Sequence, residues 1–192
     1  IYIPKKEDIY PSDYSTYIKL KKFNDILCAA RRKNHFNGVA TILTKLFFLI
    51  RPDYSLFGEK DYQQLIIIKK LVKDFSINTK ILAVKTIRDS NGLALSSRNF
   101  LLNALEYNKA KKINKILKKA KKSKFSSYDT MLKSLVNELE KNGLNKIEYV
   151  EIRDEKTLKK FSEFSDTKNV RFRIFIAIRI GKVRLIDNLR IS

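Results

Sequence analysis

Helical and strand patterns alternate over residues 35–84, and this order constrains the fold more than any other feature of the chain. The first helix ends at Arg51-Pro52, and its apolar stripe consists of Val39, Leu43, Leu46 and Ile50. Residues 54–57 predict a short buried strand, and residues 79–84 predict another. The helix between them begins at Glu59, and its predicted core residues are Leu65, Ile68, Val72 and Phe75. This order predicts a parallel sheet with crossover helices.

The pattern changes near residue 86, after which turns and helices precede an antiparallel hairpin. Residues 89–92 read DSNG, a strong turn signal, and Asn103 with Glu106 predicts a capping box for a lysine-rich helix. Strict alternation later places one set of apolar side chains on a single face: Val170, Phe172, Ile174, Ile176, Ile178 and Ile180. With a turn at Gly181-Lys182, this stretch predicts a hairpin that is packed on one side.

These patterns predict an α/β protein in two parts. Residues 1–86 are predicted to be the C-terminal part of a Rossmann-like, parallel-sheet domain, and residues 87–192 a smaller α+β domain. The opening residues IYIP resemble the end of a buried strand, so we expect a further N-terminal part of the sheet to precede them.

The formal net charge of +21 is the composition feature that most favours an anionic partner. Lysine is abundant throughout the chain, however, and the densest run, residues 109–124, has apolar residues beneath it at helical spacing: Ala110, Ile113, Ile116, Leu117 and Ala120. The run lacks interleaved aromatic residues, and the chain has no zinc-finger or RNP-type motif. We therefore predict no nucleic-acid partner, although a basic nucleic-acid-binding module on the same fold remains the alternative function.

Cysteine content and hydropathy bear on the cellular setting. Cys28 is the single cysteine and His35 the single histidine, so the sequence predicts neither an intrachain disulfide nor a zinc site. No apolar stretch approaches the roughly 18 to 20 residues of a membrane span, and no signal-peptide pattern is present. The sequence predicts a cytoplasmic protein without a membrane partner.

Charged and amide side chains follow the first predicted strand, in the segment LFGEKDYQQL. Gly58 would let the backbone turn tightly and approach a nucleotide closely. Lys60, Asp61 and Gln64 can share one helical face, where an ammonium suits phosphate, a carboxylate suits ribose hydroxyls and an amide suits a small polar substrate. Ligands bind at this end of the strands in open α/β sheets. The same residues could instead form an ordinary solvated first turn.

A second polar segment, GLALSSRN, follows the DSNG turn. Ser96 and Ser97 can donate O–H and N–H groups, and Arg98 can contact phosphate oxygens bidentately. Ser-Ser-Arg alone is a weak signal because such loops are common. It supports a phosphate site only in combination with the segment LFGEKDYQQL.

Together, FGEKDYQQL and SNGLALSSRN resemble the pantothenate synthetase (pantoate–β-alanine ligase) family, and VRLIDN resembles the C-terminal end of its members. The resemblance extends over essentially the whole chain. It implies a nucleotidyltransferase-like Rossmann fold of the HUP type, related to class I aminoacyl-tRNA synthetases. The implied reaction has two steps: pantoate and ATP form pantoyl adenylate and pyrophosphate, and β-alanine then displaces AMP. The family is usually dimeric, so a homodimer is expected.

The resemblance also implies roles for individual residues. Lys60 resembles a phosphate-contacting, catalytic lysine, and Gly58 and Asp61 resemble ribose contacts. Ser96, Ser97 and Arg98, preceded by Leu95, would bind the triphosphate of ATP together with Mg²⁺, with Ser96 and Arg98 also counted as catalytic; no metal ligand is predicted from the protein. Gln64 resembles a pantoate-binding amide. Arg32 and His35 match a basic loop near the active site, although His35 could equally be a helix-start residue that packs locally.

Departures from the family pattern lower the activity that we expect. The HxGH motif of the family is absent from these residues, Cys28 stands where the family usually has glutamate, and ARRKNHF replaces a pattern with Arg-Pro-Gly-His. We therefore expect these 192 residues to be weakly active or inactive alone, and a longer parent to be active.

Overall fold

The structure is a computed structural model that describes residues 1–163 and 169–191. The chain forms two compact units. One consists of Ile1–Phe57 and Gln63–Ala83, and the other of Gly58–Tyr62 and Val84–Ser192. The short segment Gly58–Tyr62 therefore belongs with the C-terminal unit although it lies in the middle of the first unit's sequence. This segment contains most of the first predicted site.

The first unit contains short helices α1 (Lys6–Ile9) and α2 (Leu27–Arg31) and the longer helix α3 (His35–Ile50). Strand β1 (Tyr54–Gly58), helix α4 (Tyr62–Asp74) and strand β2 (Lys80–Val84) follow. The two strands pair side by side, and α4 connects them as crossover helices connect neighbouring parallel strands. The predicted order of helix, strand, helix and strand is confirmed.

Burial in the first unit differs from the predicted pattern. Helix α3 buries Phe36, Asn37, Ala40, Thr41 and Phe47, whereas the predicted stripe residue Ile50 is 52% exposed. The buried face is polar in part because Asn37 and Thr41 accept hydrogen bonds from the backbone of residues 20 and 18, at 3.0 and 2.9 Å. The irregular segment before α2 is thereby fixed to α3.

The strand predicted at residues 54–57 is present, but the prediction that it is buried is wrong. Exposed and half-buried residues alternate along β1, so one of its faces is only partly covered, and the strand pairs with a single neighbour within the described residues. Phe75, predicted as a core residue, lies beyond the end of α4 and is 49% exposed. Leu65 and Ile68 are fully buried as predicted.

The described residues of the second unit form three α-helices and three antiparallel strands, in addition to short 3-10 turns. The helices are α5 (Ala104–Ala110), α6 (Lys112–Lys122) and α7 (Tyr128–Lys141). The strands β3 (Lys146–Asp154), β4 (Phe172–Ile180) and β5 (Val183–Arg190) form a sheet with β4 at its centre. The apolar residues predicted beneath the lysine run are all buried in the core that α6 and α7 form with this sheet.

Local sequence signals set the helix ends in this unit. Asn103 accepts a hydrogen bond from the Glu106 N–H, and the Glu106 carboxylate accepts one from the Asn103 N–H, at 2.9 and 3.0 Å. The predicted capping box is therefore confirmed. The predicted turn at Gly181-Lys182 joins β4 to β5, and Gly181 has a φ of 56°, a value that favours glycine.

The central strand is buried on both faces, so the prediction of a hairpin packed on one side is wrong. Ile174, Ile176 and Ile178 face the helical core as predicted, but Arg173, Phe175 and Ala177 on the other face are also buried. Phe175 packs against Tyr62, and Arg173 is ion-paired with Glu155. The segment Gly58–Tyr62 thus helps to cover this second face.

Within the described residues, no helix combines the length and apolar character needed to cross a membrane.

Candidate functional site

The segment after β1 presents a lysine from a short 3-10 turn, Glu59–Asp61. The Lys60 ammonium lies 3.8 Å from the Asp61 carboxylate, and the Lys60 side chain is 20% exposed. Gly58 has an extended backbone with φ −70° and ψ 134°, so a tight turn is not the reason for a glycine here. A β-carbon at Gly58 would meet nothing within 4 Å. The remaining predicted reason, space for a ligand beside the backbone, is compatible with this open surface.

The loop that precedes the serine pair is a small hairpin, closed by a bridge between Arg88 and Ala94. Asp89 shapes its turn because its carboxylate accepts hydrogen bonds from the N–H groups of residues 91 and 93 and from the Tyr107 hydroxyl. These hydrogen bonds, with that of the Tyr107 hydroxyl foremost, hold the pKa of Asp89 below its usual value despite opposing desolvation. Gly92 has a φ of 91°, which only glycine adopts readily. The predicted DSNG turn is confirmed.

Ser96 caps the next 3-10 helix, Ser97–Leu101, by accepting a hydrogen bond from the Arg98 N–H at 3.3 Å. Asn99 donates to the Ala94 carbonyl at 3.0 Å, while its side-chain oxygen is buried without a hydrogen-bond partner among the described residues. Ser97 and Arg98 are exposed, and Leu95 is half exposed. The loop therefore presents its hydroxyl groups and the guanidinium on the surface.

Both polar segments line one crevice of the second unit. The first segment contributes Lys60 to the lining, and the second contributes Ser96, Arg98 and Asn99. The rest of the lining comes from Leu93, Ala94, Ile113, Arg184, Leu185, Ile186 and Asp187. Asp61, Leu95 and Ser97 lie next in sequence to these residues but are not among the described lining. The fold brings together side chains about 36 positions apart in the sequence, counted from Lys60 to Ser96.

Positive charge dominates the crevice. Asp187 is the single carboxylate in its described lining, and its two oxygens accept hydrogen bonds from Arg88 at 2.7 and 2.8 Å. Arg88 therefore balances the charge of Asp187. Arg184 pairs with Glu148 at 2.8 Å, so Lys60 and Arg98 supply the positive charge of the described lining. Cations and hydroxyl donors in one crevice suit an anionic group such as phosphate.

The remaining predicted site residues lie in the first unit. Arg32 and His35 occupy the tight turn between α2 and α3, where the His35 N–H donates to the Arg32 carbonyl at 3.1 Å. The His35 ring lies 4.9 Å from that of Phe36, so local packing contributes to its position. Gln64 is half buried in the first turn of α4. The structure brings Arg32 and His35 together in one turn.

Gln63 is a structural residue that sequence reasoning missed. It is buried, accepts a hydrogen bond from the Cys28 N–H at 3.0 Å and donates to the Ile26 carbonyl at 3.0 Å. Its amide therefore fixes the start of α2 to the start of α4. Adjacent side chains of a helix point in different directions, so Gln63 and Gln64 cannot both face solvent to the same extent. This was the signal in the sequence that one of them could face the protein interior.

Comparison with known proteins identifies the family. The family model described as pantoate-beta-alanine ligase matches residues 1–190. The chain belongs to this family. The predicted resemblance is confirmed.

Individual members of the pantoate-beta-alanine ligase family match over nearly the whole chain. The pantothenate synthetase of Clostridium acetobutylicum is 39% identical over 98% of the chain and 66% of its own length. That of Endomicrobium trichonymphae is 41% identical over 98% of the chain and 66% of its own length. The chain thus spans about two thirds of the length of the curated relatives that it matches.

Solved structures of family members confirm the fold class. The pantothenate synthetase of Thermus thermophilus superimposes with a TM-score of 0.83 at 30% identity, over 98% of this chain and 68% of the other. The pantoate-beta-alanine ligase of Francisella tularensis, solved in complex with beta-gamma ATP and beta-alanine, gives a TM-score of 0.75 at 39% identity, over 96% and 62%. The chain is an α/β protein in which a parallel sheet with helices is followed by an antiparallel-sheet unit.

Proposed function

We propose that this chain carries the nucleotide-binding part of an ATP-dependent ligase that joins pantoate to β-alanine. The observation that carries the proposal is the shared crevice of Lys60, Ser96 and Arg98, because it unites the two segments on which the family resemblance rests. The Francisella tularensis relative, whose complex contains a nucleotide and beta-alanine, supports the same substrates.

The proposed reaction has two balanced steps. A carboxylate oxygen of pantoate attacks the α-phosphorus of ATP, the bond to the β-phosphate oxygen breaks, and pyrophosphate leaves. The neutral amine of β-alanine then attacks the acyl carbon of pantoyl adenylate, the bond to the AMP oxygen breaks, and the amine loses a proton. Neither step needs a covalent intermediate with the protein, so positioning and charge neutralisation would provide most of the acceleration.

Residue roles follow from the charges and donors of the crevice. The Lys60 ammonium would contact phosphate oxygens and balance charge as pyrophosphate departs. Arg98 would bind the triphosphate through its guanidinium, with Ser96 and Ser97 as hydroxyl donors. Gly58, Asp61 and Leu95 border these residues in sequence, and we propose that they contact the nucleoside. On the strength of the resemblance, we assign Gln64 to pantoate and Arg32 and His35 to substrate binding in a basic loop near the active site.

The protein's own residues fit a metal that arrives with the nucleotide. Among the described residues, no group of three or more histidine, cysteine, aspartate or glutamate side chains could hold a metal ion. Asp187, the carboxylate that lines the crevice, already bonds to Arg88 through both oxygens. Magnesium usually keeps its waters and binds mainly through substrate phosphates. We therefore propose that Mg²⁺ enters as part of Mg-ATP.

The predicted domains and assembly remain proposals. We assign residues 1–86 to the C-terminal part of the nucleotide-binding domain and residues 87–192 to a smaller lid domain. A homodimer is expected, and light scattering on the complete protein would test it.

Alone, these residues are expected to be weakly active or inactive. A longer protein that includes an HxGH-bearing segment should form pantothenate from pantoate, β-alanine and ATP, and failure to do so would contradict the proposed reaction.

Calorimetric titration with Mg-ATP tests the nucleotide site directly. The unsubstituted chain should bind, and Lys60→Ala should bind roughly tenfold to a hundredfold more weakly because it loses a charge-assisted phosphate contact. Lys118→Ala, which removes an exposed lysine from α6, is the matched control and should bind as the unsubstituted chain does. Equal binding by the Lys60 variant, or no binding by the unsubstituted chain, would contradict a nucleotide site at this crevice.

A further inference from the structure

The backbone on both sides of the Lys60 α-carbon is held by one buried amide. The Asn188 side chain, on β5, is 4% exposed, and its nitrogen donates to the carbonyls of Glu59 and Lys60, both at 2.9 Å. Two bonds from one NH₂ group to consecutive carbonyls fix the local path of the chain. The direction of the Lys60 side chain therefore depends on Asn188.

Arg173 fixes the orientation of that amide. Its guanidinium donates to the Asn188 side-chain oxygen at 2.5 Å, so a reversed amide would face the arginine with a donor and the two carbonyls with an oxygen. The same guanidinium lies 3.6 Å from the Glu59 carboxylate and 3.9 Å from the centre of the Tyr62 ring. Arg173 thus contacts the residues on either side of Lys60 and Asp61.

Asp187, the neighbour of Asn188, holds the other segment. Its carboxylate binds Arg88 bidentately, and Arg88 also donates to the Gly92 carbonyl at 3.2 Å. These contacts fix the start of the hairpin and its turn, and the hairpin leads directly into Ser96–Arg98. Because consecutive side chains of a strand point to opposite faces, adjacent residues of β5 can reach two different segments.

We propose that Asp187 and Asn188 are positioning residues that hold the two phosphate-binding segments in register across the crevice. Asn188 sets the position of Lys60, and Asp187 acts through Arg88 on the loop of Ser96 and Arg98. The inference rests on the proposed function, since the two segments need a fixed spacing only if they bind one anionic ligand. A misplacement of about 1 Å at such a site can cost roughly a hundredfold in rate.

The first test measures how accessible the Lys60 amine is in the absence of a nucleotide. Lysines are labelled with an amine-reactive ester, and the rate at Lys60 is read by mass spectrometry in Asn188→Ala and Asn188→Asp. The labelling rate should rise in both variants, because the side chain is mostly shielded in the intact crevice. Asn142→Asp is the control: its amide also donates to a backbone carbonyl in the second unit, that of Glu138 at 2.8 Å. An unchanged rate in both Asn188 variants would overturn the inference.

The second test measures Mg-ATP and AMP affinities together with the thermal midpoint of each variant. Asn188→Ala and Asp187→Asn should weaken Mg-ATP binding by roughly tenfold or more, because misplaced side chains lose contacts to the β- and γ-phosphates. The affinity for AMP, which has neither of these phosphates, should change less. Asn142→Asp should lower the thermal midpoint but leave the ratio of the two affinities unchanged. Equal loss for both nucleotides would indicate a merely structural role and overturn the inference.

The two proposals fail in different ways. If the unsubstituted chain does not bind Mg-ATP, the proposed function is contradicted before any substitution is made. If it binds, and Lys60→Ala binds more weakly as expected, the nucleotide site is retained. Asn188 and Asp187 variants that then keep the full preference for ATP over AMP overturn the positioning role alone.

Discussion

The two sheets of this protein differ in how their strands are buried. In the C-terminal sheet, β4 is buried on both faces, by the helical core on one and by residues including Tyr62 on the other. In the N-terminal sheet, β1 exposes Tyr54 and Leu56, and β2 exposes Leu82. Burial of apolar area is the main favourable term in folding. We therefore expect the second unit to supply most of the measurable stability of this chain.

The largest expected effect comes from the polar side of β4. Replacing Arg173 by alanine would leave the Glu155 carboxylate, which is 5% exposed, with one arginine fewer in an almost water-free site. Glu155 would keep its pair with Arg190, but the Asn188 side-chain oxygen would also lose its donor, and removing one partner of a buried ion pair costs up to about 3–5 kcal/mol. Denaturant unfolding should show this loss. Arg179→Ala, whose side chain is half exposed in its pair with Glu148, should cost under about 1 kcal/mol.

A pair of matched leucine truncations tests the comparison of the two sheets directly. Leu135→Ala, at a position that is 1% exposed on α7, should lower the free energy of unfolding by about 2–5 kcal/mol. Leu56→Ala, on β1 and 66% exposed, should change it by less than about 0.5 kcal/mol. Similar losses at the two positions would contradict the proposed difference in burial.

The buried glutamine of the first unit should matter less for overall stability than the core leucine of the second. Gln63→Ala would leave the Cys28 N–H and the Ile26 carbonyl without this partner, at a cost of about 1–3 kcal/mol. Hydrogen exchange at the Cys28 amide should accelerate, whereas amides of β4 should keep their protection. Gln64→Ala is the matched control and should leave exchange at the Cys28 amide unchanged, because Gln63 and not Gln64 bonds to Cys28 and Ile26.

Capping of α5 is expected to give a smaller effect in the second unit. Asn103→Ala should cost about 1 kcal/mol in thermal or denaturant unfolding, because the Glu106 N–H loses its acceptor at the helix start. Asn108→Ala, an exposed position within the same helix, should be neutral or slightly stabilising because alanine favours helix. Equal destabilisation by both changes would show that the capping box contributes little.

Periodicity and local signals predicted the elements well, because they depend on neighbours in the sequence. The helix of residues 35–50, the strands on either side of α4 and the capping box at Asn103 all follow from spacing or from a side chain that bonds to a nearby N–H. Burial was predicted less well. Ile50 and Leu56 are apolar, yet their exposure depends on which segments lie against them, and no local pattern encodes that.

The candidate site shows the same division. Motif chemistry selected Lys60, Ser96 and Arg98, and the structure places them in one crevice. The contacts that fix the segment were missed, since Asn188 lies 128 positions from Lys60 and reaches its carbonyl only in the folded chain. The available signal was that Arg173 and Asn188 lie among apolar residues of the hairpin, because polar groups that become buried need hydrogen-bond partners.

The smallest expected effect is a pH dependence at the edge of the C-terminal sheet. Burial alone would raise the pKa of Glu148, but the hydrogen bonds and charges of Arg184 and Arg179 outweigh it and lower the pKa below the usual value. A carboxylate with a lowered pKa in the folded state contributes stability above its unfolded pKa, and that contribution is lost as the pH falls through the folded value. Glu148→Gln should therefore reduce the free energy of unfolding near neutral pH. The difference from the unsubstituted chain should begin to shrink as the pH falls through about 4, the ordinary range of a glutamate pKa, and should vanish below the lowered folded-state pKa, where the carboxyl group is protonated in both states. A difference that stayed constant from neutral to acidic pH would contradict this expectation and assign the role of Glu148 to packing.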